Sequence, residues 1–146
     1  MKIKDIKAYE VLDSRGNPTV GVEAILSDGS VGLSLVPSGA STGKYEAVEK
    51  RDTEKGRYLG KGVLDAVNSI HNDILPLLRE KDASDLFGND LLMIEADRTN
   101  TKSKLGANAI LAVSMACAKA ASVSLKINLH EYVSNKASEL YNKKVE

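Results

Sequence analysis

Small and hydroxyl-bearing residues fill one short stretch, from Pro37 to Gly43, whose sequence is Pro-Ser-Gly-Ala-Ser-Thr-Gly. Its glycines, Gly39 and Gly43, allow the backbone to turn sharply and to approach a ligand closely. Its three hydroxyls could reach a phosphate, a hard cation or the N-terminus of a helix. This is the composition of a loop that closes over a ligand. On composition alone, however, an ordinary connection between a strand and a helix is the favoured interpretation.

The stretch does not have the spacing of a nucleotide-binding P-loop. That motif needs four residues between its glycines, followed by Lys and then Ser or Thr. Here Gly39 and Gly43 are separated by three residues, and Lys44 is followed by Tyr45. The segment 60–62 (Gly-Lys-Gly) lacks the third glycine of a dinucleotide-binding fingerprint and follows no convincing strand. The sequence therefore predicts neither kind of nucleotide site.

The composition is that of a neutral chain of ordinary domain size. Its 146 residues carry 20 basic and 20 acidic side chains, so no net field attracts nucleic acid or an anionic membrane. Aromatic residues make up 4% of the chain and none is Trp, which argues against a base-stacking surface. The single cysteine, Cys117, excludes an internal disulfide and suits a reducing compartment. Because the N-terminus does not read as a signal peptide, we expect a soluble cytoplasmic domain.

The part of the chain before the loop alternates between apolar and polar residues, as β-strands do. We predict strands over residues 2–12 and 19–27, and a third strand whose apolar face is Val31, Leu33 and Leu35. In the second strand the apolar face is formed by Val20, Val22, Ala24 and Leu26. Turn formers separate the strands at 13–18 and at 28–29 (Asp-Gly), the latter typical of a two-residue hairpin. The economical arrangement is a three-stranded antiparallel meander with one face covered.

After the loop the apolar residues recur about every 3.6 residues, which indicates helices. We predict a short helix over 45–51, a helix over 63–78 that Pro76 kinks or ends, and a third helix capped by Ser84. The segment 105–124 is apolar nearly all round, so we expect a buried central helix rather than a membrane span. A last amphipathic helix begins at about Asn128, with three residues inward: Leu129, Tyr132 and Val133.

Strands followed by helices indicate an α+β fold with the helices on one face of the sheet. We expect one domain over residues 1–146, with a loosely ordered tail over about 137–146. The two histidines, His71 and His130, are far apart in sequence and have no cysteine partner at zinc-site spacing, so a zinc site is not expected.

Four separated stretches carry a more specific signal. They are 13–20 (DSRGNPTV), 37–43 (PSGASTG), 59–63 (LGKGV) and 102–111 (KSKLGANAIL), and residues 46–47 and 51–52 (Glu-Ala and Arg-Asp) accompany them. Together and in this order they resemble the N-terminal domain of enolase (phosphopyruvate hydratase), over almost the whole chain. The resemblance implies a three-strand meander and a helical half that cap a larger barrel of the TIM type, with no barrel in this chain.

The resemblance also implies a reaction and a ligand. The family interconverts 2-phosphoglycerate and phosphoenolpyruvate with two Mg²⁺ ions, and the second serine of its loop, Ser41 here, ligates the second ion when the loop closes. Hydroxyl and carbonyl oxygens suit Mg²⁺. Gly39 and Ala40 would approach the ligand closely, and Gly43 would act as a hinge. The alternative role for Ser41 is a helix-capping hydroxyl. The substrate loop implied by the resemblance comprises Ser38, Gly39, Ala40, Ser41, Thr42 and Gly43.

The family's base, its acid and the carboxylates of the first Mg²⁺ belong to the barrel, which takes about 250 residues. We therefore expect no catalytic residue in this chain, no tight Mg²⁺ binding by it alone, and a C-terminal barrel domain as its partner. Two positions depart from the family. Gly21 stands where an acidic residue takes part in subunit contacts, and Asp97-Arg98-Thr99 stands for Asp-Gly-Thr. The first bears on the usual dimer contact and the second on a glycine-permitted turn.

Two functions are compatible with the sequence. The leading one is the capping domain of a glycolytic enolase, which places a serine-bearing loop over the substrate and the second Mg²⁺. The alternative is a non-catalytic module derived from an enolase, which binds a protein partner or self-associates. Without a barrel, we expect exposed apolar area from the sheet, the loop flanks or the alanine-rich helix, which would favour a homo-oligomer. Neither nucleic acid nor a membrane is expected as a partner.

Overall fold

The computed structural model describes residues 1–36, 43, 46–54 and 56–145. Its sheet contains strands β1 (Ile3–Leu12), β2 (Pro18–Leu26) and β3 (Val31–Val36) in the order β1-β2-β3, with both pairs antiparallel. The predicted meander is confirmed. Each connection is short, because turn-forming residues occupy both: 13–17 between β1 and β2, and 27–30 between β2 and β3.

The prediction of which face of the sheet is covered is confirmed for β2 and wrong for β3. Val20, Val22, Ala24 and Leu26 are fully buried, as their alternation predicts. In β3 the covered residues are Gly32, Ser34 and Val36, whereas the apolar face Val31, Leu33 and Leu35 is exposed. A helix lies too close to β3 for large side chains on that side. The open face of the sheet is therefore partly apolar.

The predicted helix over 45–51 is wrong for the residues described. Tyr45 lies outside them, and residues 46–51 are not helical. Val48 and Lys50 instead bond through their backbones to residues near the start of a later helix. A single 3₁₀ turn, Tyr58–Gly60, follows this segment. Tertiary hydrogen bonds replace the local ones that a helix would have made.

The helix predicted over 63–78 consists of three segments. They are α1 (Leu64–Ser69), a π-helical turn (Ile70–Ile74) and α2 (Leu75–Leu78), with Pro76 in the first turn of α2. Proline lacks an amide hydrogen and its ring crowds the carbonyl four residues before it, so the ladder must widen or break there. The prediction that Pro76 disturbs the helix is confirmed, and the disturbance takes the form of a wide turn.

Three further helices complete the fold: α3 (Leu86–Asp97), α4 (Ala107–Leu125) and α5 (Leu129–Tyr141). The predicted cap of α3 is wrong by one residue, because Asp85, not Ser84, accepts a hydrogen bond from Gly88 N. In α5, Tyr132 is buried as predicted, whereas Leu129 and Val133 are exposed. Helix α5 continues to Tyr141, and residues 139–144 are exposed.

Helix α4 is the centre of the helical half, and it packs against β2 and β3 on one side and against α3 and α5 on others. Among the described residues it is the one helix long and apolar enough to cross a membrane, but 61% of that apolar window is buried within the domain. It therefore behaves as a core helix. Its burial is less complete than predicted, since four apolar side chains are exposed: Leu111, Met115, Val123 and Leu125. The architecture is α+β, and the described residues form an open sheet rather than a barrel.

Candidate functional site

The loop singled out by the sequence starts at the end of β3. Val36 is buried there, and its carbonyl accepts a hydrogen bond from the Thr19 hydroxyl. Residues 37–42, 44 and 45 lie outside the described residues, so Ser38, Gly39, Ala40, Ser41 and Thr42 stay predictions. Gly43 is described and exposed, and its carbonyl accepts from Glu46 N at 3.2 Å.

The chain returns from the loop along the N-terminal end of α4. Val48 N donates to Thr101 O at 2.6 Å, and Val48 O accepts from Ala107 N at 2.9 Å. Two residues later the backbone of Lys50 pairs with the side chain of Asn108. The return segment is thus hydrogen-bonded to Thr101 and to the motif 102–111.

Arg51 ties the return segment to two other motifs. Its guanidinium donates to Pro18 O at 2.7 Å and to Lys61 O, and a second nitrogen donates to Glu49 Oε1 at 2.9 Å. Lys61 Nζ in turn donates to Asn17 Oδ1 at 3.2 Å. The segments 13–20, 51–52 and 59–63, far apart in sequence, therefore meet at the end of the sheet where the loop begins.

Two carboxylates at this end of the domain bind backbone amides at the start of α1. Glu10 Oε2 accepts from Val63 N at 2.8 Å, and Asp52 Oδ1 accepts from Asp65 N at 2.8 Å, so both satisfy amides at the start of α1. Arg57 bridges them: it donates to Glu10 Oε1, and its other nitrogen lies 3.6 Å from Asp52 Oδ2. The hydrogen bond to Glu10 raises the pKa of Arg57 above its ordinary value. Glu10 and Asp52 therefore bind backbone amides, and Arg57 joins the two carboxylates.

The turn of the first motif is organised by Asp13. Its Oδ1 accepts from Asn17 N and Arg15 N, both at 2.8 Å, and the bond from Asn17 is the main reason that the pKa of Asp13 is lowered. A carboxylate that accepts amides in a turn is an Asx arrangement, which fixes the loop conformation. This turn presents Pro18 O to Arg51.

The second position at which we expect a departure from the resemblance, Arg98, lies in a turn at the end of α3. Arg98 takes the left-handed conformation that glycine usually occupies, with φ 59° and ψ 14°. The turn is held by the fully buried Asp97, which accepts from Leu105 N at 2.7 Å and from Thr99 N at 3.0 Å. Burial alone would raise the pKa of Asp97, but these hydrogen bonds outweigh it and lower the pKa.

A family model described as "Enolase, N-terminal domain" matches residues 3–133. The chain belongs to this family. The match contains all four motifs, and in this enolase N-terminal domain the return segment 46–52 brings two of them, 13–20 and 59–63, together with residues 101–108 at one end of the sheet.

The described part of this enolase N-terminal domain does not suit a metal ion by itself. Among residues 1–36, 43, 46–54 and 56–145, no group of three His, Cys, Asp or Glu side chains is placed to hold one. Glu10 and Asp52, the carboxylates at the foot of the loop, are occupied with amides and with Arg57.

Three residues that matter at this site were not singled out in the sequence: Glu10, Arg57 and Asn108. Glu10 occupies an ordinary polar position of a strand, and Arg57 lies in a polar link, so neither has a local signal. Asn108 belongs to the motif 102–111, and it interrupts an otherwise apolar helical stretch. A polar residue at a buried helical position was the available clue, because such a side chain must find hydrogen-bond partners.

Proposed function

We propose that this chain is the capping domain of an enolase, which holds the substrate loop Ser38–Gly43 over 2-phosphoglycerate or phosphoenolpyruvate bound in a C-terminal barrel. The observation that carries the proposal is the family match over residues 3–133. The geometry is compatible with it, because both attachments of the loop, at Val36 and at residues 46–52, are hydrogen-bonded to the domain. A rigid base is what a loop needs if it is to be placed reproducibly.

Within this proposal Ser41 supplies an oxygen ligand to the second of two Mg²⁺ ions. Mg²⁺ prefers hard oxygen ligands and retains water, so one hydroxyl can complete a site that carboxylates of another domain hold. Gly39 and Ala40 let the backbone approach, and Gly43 ends the loop. When bound, the metal would stabilise negative charge that develops next to the substrate carboxylate. The base and the acid of the reaction come from the barrel, and this chain contributes positioning.

A self-associating module is the second candidate, and the open face of the sheet favours it. Tyr9 is exposed there on β1, and Leu33 and Leu35 are exposed on β3, the two outer strands of the sheet. Between Tyr9 and Leu35 in the register lies Gly21, where a Cβ would already meet Leu35 Cδ2 at 3.1 Å. Gly21 stands where the family has an acidic residue, and it adds no charge to this apolar row. The occupant that suits such a row is another apolar surface, in this candidate a second copy.

The deciding experiment combines this chain with a separately produced enolase barrel domain and measures phosphoenolpyruvate formed from 2-phosphoglycerate in the presence of Mg²⁺. We expect turnover from the mixture and from neither part alone, and its loss with Ser41→Ala. Ser27→Ala is the control, since Ser27 is exposed at the opposite end of the sheet.

Absence of both association and turnover would favour the self-associating module. Turnover that is unchanged by Ser41→Ala would reject the role of that hydroxyl while leaving the capping role in place.

A further inference from the structure

The buried amide of Asn108 forms a two-point contact with the backbone of one residue. Asn108 is 4% exposed and lies in the first turn of α4. Its Nδ2 donates to Lys50 O at 3.0 Å, and its Oδ1 accepts from Lys50 N at 3.0 Å. A primary amide carries a donor and an acceptor side by side, as a neighbouring β-strand does. The side chain of Asn108 therefore bonds to the backbone of Lys50 as a residue of a neighbouring β-strand would.

The surrounding backbone extends this contact over three residues. Both backbone groups of Val48 bond to the same region, to Thr101 O and Ala107 N, and both groups of Lys50 bond to Asn108. Four hydrogen bonds thus hold Val48 and Lys50, neither of which belongs to a strand in the described part of the chain. Buried backbone groups without partners are costly, so this segment has a strong preference for one path.

The position of Asn108 is itself fixed by the residue that precedes the helix. Gly106 has φ 98° and ψ 131°, a conformation that disfavours any residue with a Cβ. A Cβ there would lie 2.5 Å from Lys50 Cβ and 2.6 Å from Asn108 Oδ1. The missing side chain lets the backbone of Lys50 come within reach of the amide.

The side chain of Lys50 adds a link to two further elements. Its Nζ donates to Ser69 Oγ in α1 at 2.8 Å and to Lys104 O at 2.7 Å. The backbone of Lys50 is therefore attached to α4 and its side chain to α1. A residue held at both ends cannot follow movement of the chain before it without breaking these bonds.

We propose that Asn108 is a positioning residue that fixes the chain at Lys50, seven residues after Gly43, and so sets where the loop joins the domain. The consequence for turnover rests on the proposed function. The local fixing of residues 46–50 does not, and it can be measured on this chain alone. Asn108 contacts no substrate, and it acts through the backbone of Lys50.

Amide hydrogen exchange in the chain of residues 1–146 tests the local claim. In the unaltered chain the Lys50 amide should be protected although its segment lies at the surface. With Asn108→Ala, exchange at Val48 and Lys50 should accelerate about tenfold or more beyond the change in the core amides of β2, because two hydrogen bonds are lost. Asn108→Asp keeps an acceptor for Lys50 N but lacks the donor at neutral pH, so it should lie between.

Asn89→Ala is the matched control. Asn89 is also an asparagine that is 4% exposed, and its Nδ2 donates to a backbone carbonyl, that of Asp82, at 2.8 Å. Its loss should change the stability of the whole domain and leave Val48 and Lys50 no faster than the core. An unprotected Lys50 amide in the unaltered chain, or equal effects of Asn108→Ala and Asn89→Ala at Lys50, would overturn the proposal.

The mixture with the barrel domain adds a functional readout. At matched folded fractions, Asn108→Ala should lower turnover several-fold and Asn89→Ala should not. If turnover requires Ser41 but ignores Asn108→Ala, the positioning role fails while the proposed function stands. If the mixture shows no turnover at all, the proposed function fails, and the exchange data still decide whether Asn108 fixes the segment.

Discussion

Gly32 of β3 lies directly against Ala116 of α4, so closely that a Cβ at position 32 would overlap the Ala116 carbonyl oxygen. The same Cβ would also overlap the amide nitrogen of Ala120. Next along the strand, Ser34 Oγ donates to Ala112 O at 2.6 Å. The sheet and the central helix therefore touch backbone to backbone, and small residues on both sides make that approach possible.

Gly32→Ala should destabilise the domain by about 1–3 kcal/mol, because the methyl group has to push β3 and α4 apart. The free energy of unfolding from urea denaturation, followed by circular dichroism, measures the change. Gly56→Ala is the control, since among the described side chains the nearest atom to its Cβ would be Glu54 Oε1 at 3.5 Å. An unfolding free energy equal to that of the unaltered chain would show that the interface can open without cost.

Glu10→Gln should destabilise the contacts that Glu10 makes with Arg57 and with the start of α1. The side chain of Glu10 is largely buried and accepts from both Arg57 and Val63 N, so the variant leaves a cation with a weaker partner. We expect a lower melting temperature and faster amide exchange at Val63. The matched control is Glu80→Gln, which removes one side of an exposed pair, Lys2 and Glu80, at 2.9 Å. Such exposed pairs contribute little. Equal losses in both variants would contradict this account.

The free energy of unfolding of the Asp90→Asn variant, relative to that of the parent chain, should increase as the pH rises. One carboxyl oxygen of Asp90 is buried and has no hydrogen-bond partner among the described residues, and burial raises the pKa of Asp90 despite a hydrogen bond from Ser114. An acid with a raised pKa binds its proton more tightly in the folded state, so the parent loses stability as the pH rises from about 4 through the raised pKa. The unfolding free energy of the variant minus that of the parent should increase over this range.

Asp97→Asn should show the opposite sign. Hydrogen bonds lower the pKa of the buried Asp97, so its contribution is fully present above the ordinary carboxyl pKa and is lost as the pH falls through the lowered one. The variant should be most damaging near neutral pH and least damaging in acid. The pair of titrations, carried out by urea denaturation from acid to neutral pH, is inconsistent with these assignments if both differences have the same slope.

The chain on its own should self-associate through the open face of the sheet. Leu33→Lys should shift light-scattering mass toward the monomer, because it places a charge among exposed apolar side chains. Leu91→Lys is the matched control: Leu91 on α3 is 54% exposed and Leu33 is 52% exposed, so both start with the same type and exposure. A strict monomer at all concentrations, or an equal effect of both variants, would remove the sheet face from consideration.

The sequence by itself determined the order of the elements, the meander, the buried face of β2 and the disturbance at Pro76, because these follow from local periodicity, turn chemistry and the missing proline amide. Four ordered motifs also identified the family.

Only the tertiary structure decided which face of β3 is covered, since the closeness of α4 selected Gly32 and Ser34 over three larger apolar residues. It also decided that residues 46–51 are not helical and that Asn108 holds the backbone of Lys50. Those contacts join residues about 50 or more positions apart, and no local pattern of hydrophobicity records where such partners will meet.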